Sequence, residues 1–145
     1  MDEKINIEIE ELLLSVGAVA LSPQKPFVYT SGNFGPIYCD NRLLLGHPDV
    51  RVQVVSAFLR VIETERIVFD VIAGTATAGI PWAAFLADRL KKPMVYVRGT
   101  QKSHGKQNSI EGPLHRGLHL LLVEDTLNFG GSSIAAVETL RNAGA

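Results

Sequence analysis

The chain has 145 residues, enough for one domain with a real core. Its 46% hydrophobic and 20% charged residues are ordinary globular values. A net charge of −1 provides no overall field that would draw it to nucleic acid or to an acidic membrane. Cys39 is the single cysteine, so no intrachain disulfide can form, which accords with an expected cytoplasmic location. The acidic start MDEKINIEIEE lacks a basic region followed by a long apolar core, so no signal peptide is expected. No apolar run reaches the roughly 18 residues of a membrane span.

Ile5, Ile9, Leu12, Leu13 and Val16 keep helical spacing, and Gly17 follows as a stop. From Ala18 to Asn41 the chain carries Pro23, Pro26, Gly32, Gly35 and Pro36 around short β-prone pieces at Phe27–Tyr29 and Ile37–Cys39. That composition predicts a small irregular or antiparallel subdomain. Pro48 then opens an amphipathic helix with Val50, Val54, Phe58, Val61 and Ile62 on one side. Val68–Ala73 reads as a buried strand, Gly74–Gly79 as a small-residue loop, Ile80–Leu90 as a helix, and Met94–Val97 as a further strand. Trp82 is expected in the core or at a dimer interface, and Cys39 as a buried thiol.

Arg98–Gly117 breaks this rhythm. It is polar and too long for a mere connection, which marks a lid-like loop. Leu118–Val123 resumes as a strand, and Ser132–Ala143 as a helix with Ile134, Val137 and Leu140 inward. The alternation predicts an α/β fold, a parallel sheet with helices on both faces. After Gly144 the pattern calls for another strand, so the core is expected to be short of C-terminal edge elements.

The segment Leu120–Ser133 contains LLVEDTLNFGGSS, in which an apolar strand delivers Glu124 and Asp125 to its carboxyl end and two glycines precede a helix start. Open α/β sheets bind ligands at that edge. The free N–H groups and dipole of a helix start suit a phosphate, and carboxylates accept hydrogen bonds from sugar hydroxyls. Asp and Gly-Gly-Ser are also ordinary turn residues, so the physical reading leaves a plain loop as the alternative. No P-loop or G-x-G-x-x-G pattern is present, and no His, Cys or carboxylate spacing suits a structural zinc.

Four segments resemble those of type I phosphoribosyltransferases, and within that family the orotate phosphoribosyltransferases. LLVEDTLNFGGSS is similar to the family signature for 5-phospho-α-D-ribose 1-diphosphate (PRPP). VRGTQKSHGKQNSIEG resembles its mobile catalytic loop, YTSGNFGPIYCDNR its amino-terminal segment over the base site, and FDVIAGTATAGIPWA its pyrophosphate loop. The resemblance implies a type I phosphoribosyltransferase fold over residues 1–145, with an N-terminal helix and hood at 1–45 and the α/β core at 46–145.

The resemblance also implies roles. Glu124 and Asp125 match the pair that binds the ribose hydroxyls. Thr126, Leu127, Asn128, Phe129, Gly130, Gly131 and Ser132 match the 5′-phosphate loop, with Asn128 also toward orotate. Thr75, Ala76 and Thr77 match the pyrophosphate loop, which works largely through backbone groups. Arg98, Lys102 and His104 match pyrophosphate ligands. Lys102, His104 and Asp125 are the implied catalytic residues. Mg²⁺ would be carried by PRPP, with no metal bound directly by the protein. The implied reaction is phosphoribosyl transfer from PRPP to orotate, giving orotidine 5′-phosphate and pyrophosphate in pyrimidine biosynthesis. The implied assembly is a homodimer whose loop acts in trans, with neither nucleic acid nor membrane as partner. A non-catalytic PRPP-binding regulator or degenerate paralogue, and a transferase for another base, are the alternatives.

Overall fold

The computed structural model describes residues 3–29, 32–99 and 109–145. They fall into two compact units, Met1–Val61 and Ile62–Ala145. The division runs through the second helix. Within the first unit Arg60 Nη2 donates to Glu8 Oε2 at 2.6 Å, joining that helix to the first.

The amino-terminal unit begins with α1 (Glu3–Ser15). It ends where Gly17 adopts φ 69° and the Ala18 amide donates to the Leu13 carbonyl at 2.9 Å. Four short strands follow: β1 (Val19–Leu21), β2 (Phe27–Val28), β3 (Phe34–Gly35) and β4 (Ile37–Cys39). They form two antiparallel pairs, β1 with β4 and β2 with β3. Prolines at 23, 26 and 36 cannot donate to a ladder, which keeps these strands short. The Tyr29 hydroxyl donates to the Ile37 carbonyl and joins the two pairs. This is the expected small antiparallel subdomain. Cys39, expected buried, is only half-buried, and its thiol donates to Asn41 Oδ1 at 3.1 Å. A 3-10 turn (Asn41–Gly46) then leads to α2 (Pro48–Thr64), where Val54, Val55 and Ala57 are buried.

The carboxyl-terminal unit holds β5 (Val71–Thr75), α3 (Gly79–Leu90), β6 (Met94–Val97), β7 (Ile110–Glu111), β8 (Leu120–Val123) and α4 (Gly131–Asn142). The sheet order is β7-β6-β5-β8; β6, β5 and β8 run parallel and β7 is antiparallel to β6. Because side chains alternate along a strand, β5 serves both faces. Val71 and Ala73 join Val95, Val97, Ala136 and Leu140 in one buried cluster under α4. Ile72 faces the other way and is fully buried, as are Ala83 and Leu86 of α3. A Cβ on Gly74 would stand 3.0 Å from that of Ala83. A parallel sheet with helices on both faces is therefore present.

Four details differ from or refine the sequence reading. Val68 is 86% exposed, and the strand starts three residues later and runs to Thr75. Sheet pairing starts only where the Asp70 and Val71 amides donate to the His119 carbonyl, at 2.8 and 3.2 Å. Ile110 and Glu111, expected within one long loop, instead return as β7 against β6, with Val97 opposite Ile110. Ile134, expected inward, is 58% exposed, and Ala136 takes the inward position with Leu140. Trp82, assigned to core or interface, is in the core, edge-on to Phe85 with ring centroids 6.1 Å apart.

Candidate functional site

The register of the three parallel strands assembles the site. Thr75 pairs with Val97, and Gly74 with Val123. The next residues along each strand are thus Arg98 after β6, Ala76 after β5 and Glu124 after β8. Neighbouring strands lie about 4.8 Å apart, so these three segments emerge side by side at one edge. The chain moves from β5 to β6 on one side and later to β8 on the other. That makes the β5–β8 boundary a topological switch point, where α/β sheets open a crevice at their carboxyl ends.

Two helices begin at this edge without side-chain caps. α3 has Ala78 at its N-cap and α4 has Gly130, and neither terminus gains a side-chain hydrogen bond. The first N–H groups of a helix lack intrahelical acceptors, which leaves such a terminus open to an anion; at α3 the Ile80 amide donates back to the Thr77 carbonyl at 3.3 Å. Gly130 adopts φ 77°, a left-handed turn that favours glycine and lets the loop enter α4. The Ser133 Oγ, one residue beyond the expected phosphate loop, is buried with no hydrogen-bond partner among the described residues. Nothing in the spacing of Ser132 and Ser133 distinguished them.

Glu124 and Asp125 are half-buried. The Asp125 amide donates to Glu124 Oε1 at 3.1 Å, and the Thr126 hydroxyl donates to Asp125 Oδ2 at 3.5 Å. Burial holds the Asp125 carboxyl above the usual carboxylate range, and the hydrogen bond and charge of Glu124 raise it further. Two adjacent carboxyls in a crevice are suited to a ligand that brings hydroxyl donors and a cation.

The remaining expected residues take different positions. The Thr75 hydroxyl is buried, at 5% exposure, and donates to the Val123 carbonyl at 3.4 Å. Thr75 can therefore offer a ligand only its backbone. The Ala76 amide is already engaged by the Val97 carbonyl at 2.8 Å, and the Ala76–Thr77 peptide is cis. Thr126, Leu127, Asn128 and Phe129 are exposed, and the Phe129 ring stands 69% exposed. Arg98 lies at the base of the β6–β7 hairpin, where its amide donates to the Ser109 carbonyl at 2.8 Å. Its Nη1 donates to Glu111 Oε1 at 3.0 Å. Glu111 went unremarked in the sequence because its partner is thirteen residues away and only strand pairing brings the two together. Lys102 and His104, with the Thr30-Ser31 pair of the amino-terminal segment, lie outside the described residues.

Residues 46–145 match the phosphoribosyl transferase domain family. The orotate phosphoribosyltransferase of Coxiella burnetii is 52% identical over 137 residues, covering 94% of this chain and 66% of that protein. The orotate phosphoribosyltransferase of Staphylococcus saprophyticus is 51% identical over 137 residues, covering 94% of this chain and 68% of its own. The chain thus spans about two thirds of the length of these curated relatives. Among solved structures, the orotate phosphoribosyltransferase of Aeropyrum pernix superposes with a TM-score of 0.78 at 34% identity, over 94% of this chain and 75% of that one.

Proposed function

The chain belongs to the phosphoribosyltransferase family, among its orotate phosphoribosyltransferases, and from that premise we propose that it transfers phosphoribosyl from PRPP to orotate. The C1–O bond to pyrophosphate breaks, a bond from C1 to a ring nitrogen of orotate forms as that nitrogen gives up its proton to solvent, and pyrophosphate departs with its electron pair. The observation that carries this reading is the meeting of three segments at the carboxyl edge of β6, β5 and β8.

Each segment supplies one part of the task. Glu124 and Asp125 accept the ribose hydroxyls. The N-terminal turn of α4, with residues 126–132, takes the 5′-phosphate and fixes the far end of the substrate, which orients the reacting carbon. Residues 75–77 hold the pyrophosphate by backbone groups. Arg98, with Lys102 and His104, places positive charge where the leaving group gains negative charge. A loop covering this edge would exclude water that otherwise hydrolyses the activated sugar.

Magnesium fits this donor set as part of the substrate. Among the described residues no group of three or more His, Cys, Asp or Glu converges on one point. Glu124 and Asp125 would meet it through the ribose oxygens of a magnesium-bearing PRPP, where the ion neutralises pyrophosphate charge. Asn128, exposed beside the acidic pair, is the proposed contact to orotate. A homodimer whose loop, with Lys102 and His104, acts in trans, and a cytosolic location, complete the proposal. Among the described residues no helix is long and apolar enough to cross a membrane.

The test is turnover of orotate with PRPP and Mg²⁺, following orotate loss and pyrophosphate release together. Orotidine 5′-phosphate formation is the expected result. PRPP binding without turnover would select a non-catalytic module, and turnover of another base alone would reassign the acceptor.

A further inference from the structure

The two loops that would hold the two ends of the reacting bond meet through close packing and one long hydrogen bond. The Thr75 hydroxyl, buried at the end of β5, donates to the Val123 carbonyl at 3.4 Å, immediately before Glu124. Gly79, the first residue of α3, sits against this bond. A Cβ at position 79 would collide with Thr75 Oγ1, stand 2.7 Å from the Val123 carbonyl oxygen and 3.3 Å from the Glu124 Cα. Two of these three atoms are backbone, so a side chain there cannot be accommodated by a rotamer change. It must move the start of α3 away from the end of β8. The residues between Thr75 and Gly79 are the pyrophosphate loop, and those after Val123 are the ribose-binding carboxylates.

We propose that Thr75 and Gly79 are positioning residues that set the spacing between the pyrophosphate loop and the Glu124–Asp125 pair, and so match the site to a ribose that carries pyrophosphate at C1. This rests on the PRPP reading of the two loops. A ligand that engages both loops at once gains the advantage of a linked, two-point binder, and that gain depends on the span between the two points. A ligand that engages one loop does not sense the span. The residues therefore act more on PRPP than on its separate halves.

The test compares three probes by calorimetric titration in Mg²⁺ buffer: PRPP, ribose 5-phosphate and inorganic pyrophosphate. Gly79→Ala should weaken PRPP about tenfold or more, since small misplacements in a two-point site carry large costs. Thr75→Val, which keeps the shape and removes the hydroxyl, should weaken PRPP about fivefold, the scale of one lost hydrogen bond. Thr75→Ser keeps the donor, so its PRPP affinity should stand closer to wild type than that of Thr75→Val. For all variants, ribose 5-phosphate and pyrophosphate should lose clearly less than PRPP, because single-loop ligands gain nothing from linkage. Equal loss for all three probes would mean that the residues merely support the fold, and overturns the proposal. Unchanged PRPP affinity in a folded Gly79→Ala or Thr75→Val protein overturns it as well. If Gly79→Ala does not fold, the Thr75→Val and Thr75→Ser pair decides alone. A wild-type protein that binds none of the probes would instead overturn the PRPP reading itself, and this inference with it.

Discussion

Arg98, one residue past the end of β6, reaches diagonally to Glu111 of β7, which stands opposite Tyr96, with Nη1 donating to Oε1 at 3.0 Å. Both side chains are partly exposed, so the pair contributes little to stability, of the order of 0–1 kcal/mol. Its significance is geometric. It holds the guanidinium at the base of the loop, one residue beyond the end of β6. Arg98→Ala should therefore leave the melting temperature nearly unchanged and weaken PRPP about tenfold or more, the scale of a lost hydrogen bond to a charged group. A thermal melt and a PRPP isotherm measure both. Equal affinity would remove Arg98 from the site.

Asp125→Asn should separate binding from folding. The native carboxyl is held above the usual carboxylate range, chiefly by burial and then by Glu124. For a raised carboxyl, ionisation disfavours the native state. The wild type therefore loses stability as pH rises from about the unfolded value through the native one. Asn does not titrate, so the variant should melt higher at neutral pH, and the gap should close in acid. PRPP affinity should fall in the variant, since the amide accepts fewer hydrogen bonds. In the wild type it should fall as acid protonates Asp125. Melts and isotherms between pH 4 and pH 8 would show both trends; a variant that melts lower at neutral pH contradicts the sign.

Asn128 and Phe129 stand in the loop proposed to take the 5′-phosphate. The Phe129 ring is 69% exposed and leaves no cavity when removed. Phe129→Thr should change stability by no more than about 0.5 kcal/mol, as for surface sites generally. A hydroxyl near the phosphate should tighten PRPP by about 1–2 kcal/mol. One isotherm decides; unchanged affinity would mean that only the backbone N–H of residue 129 serves the ligand.

Lys102→Ala should lower turnover far more than PRPP affinity. A cation that strengthens its contact as the leaving group gains charge acts on the transition state. Steady-state kinetics in both substrates would reveal it. A change confined to the Michaelis constant for PRPP contradicts the role.

Local pattern alone was enough for most elements of this protein. Helical spacing before Gly17, the proline-laden stretch from 18 to 41, and the apolar run ending at Glu124-Asp125 each name their own structure, because burial periodicity and turn chemistry act over a few residues. LLVEDTLNFGGSS exposes its chemistry for the same reason: strand, carboxylates and helix start are contiguous. What the tertiary structure decided is what contiguity cannot carry. Only the strand register places Arg98, Ala76 and Glu124 at one edge. Only the return of β7 gives Arg98 its partner Glu111. Val68 and Ile134 are apolar enough to read as buried, yet they fall where strand pairing has not begun or where α4 turns outward. The Thr75 hydroxyl lies at 3.4 Å from the Val123 carbonyl, 48 residues along the chain. Such contacts arise from the packing of whole elements, and the sequence near either residue contains no trace of them.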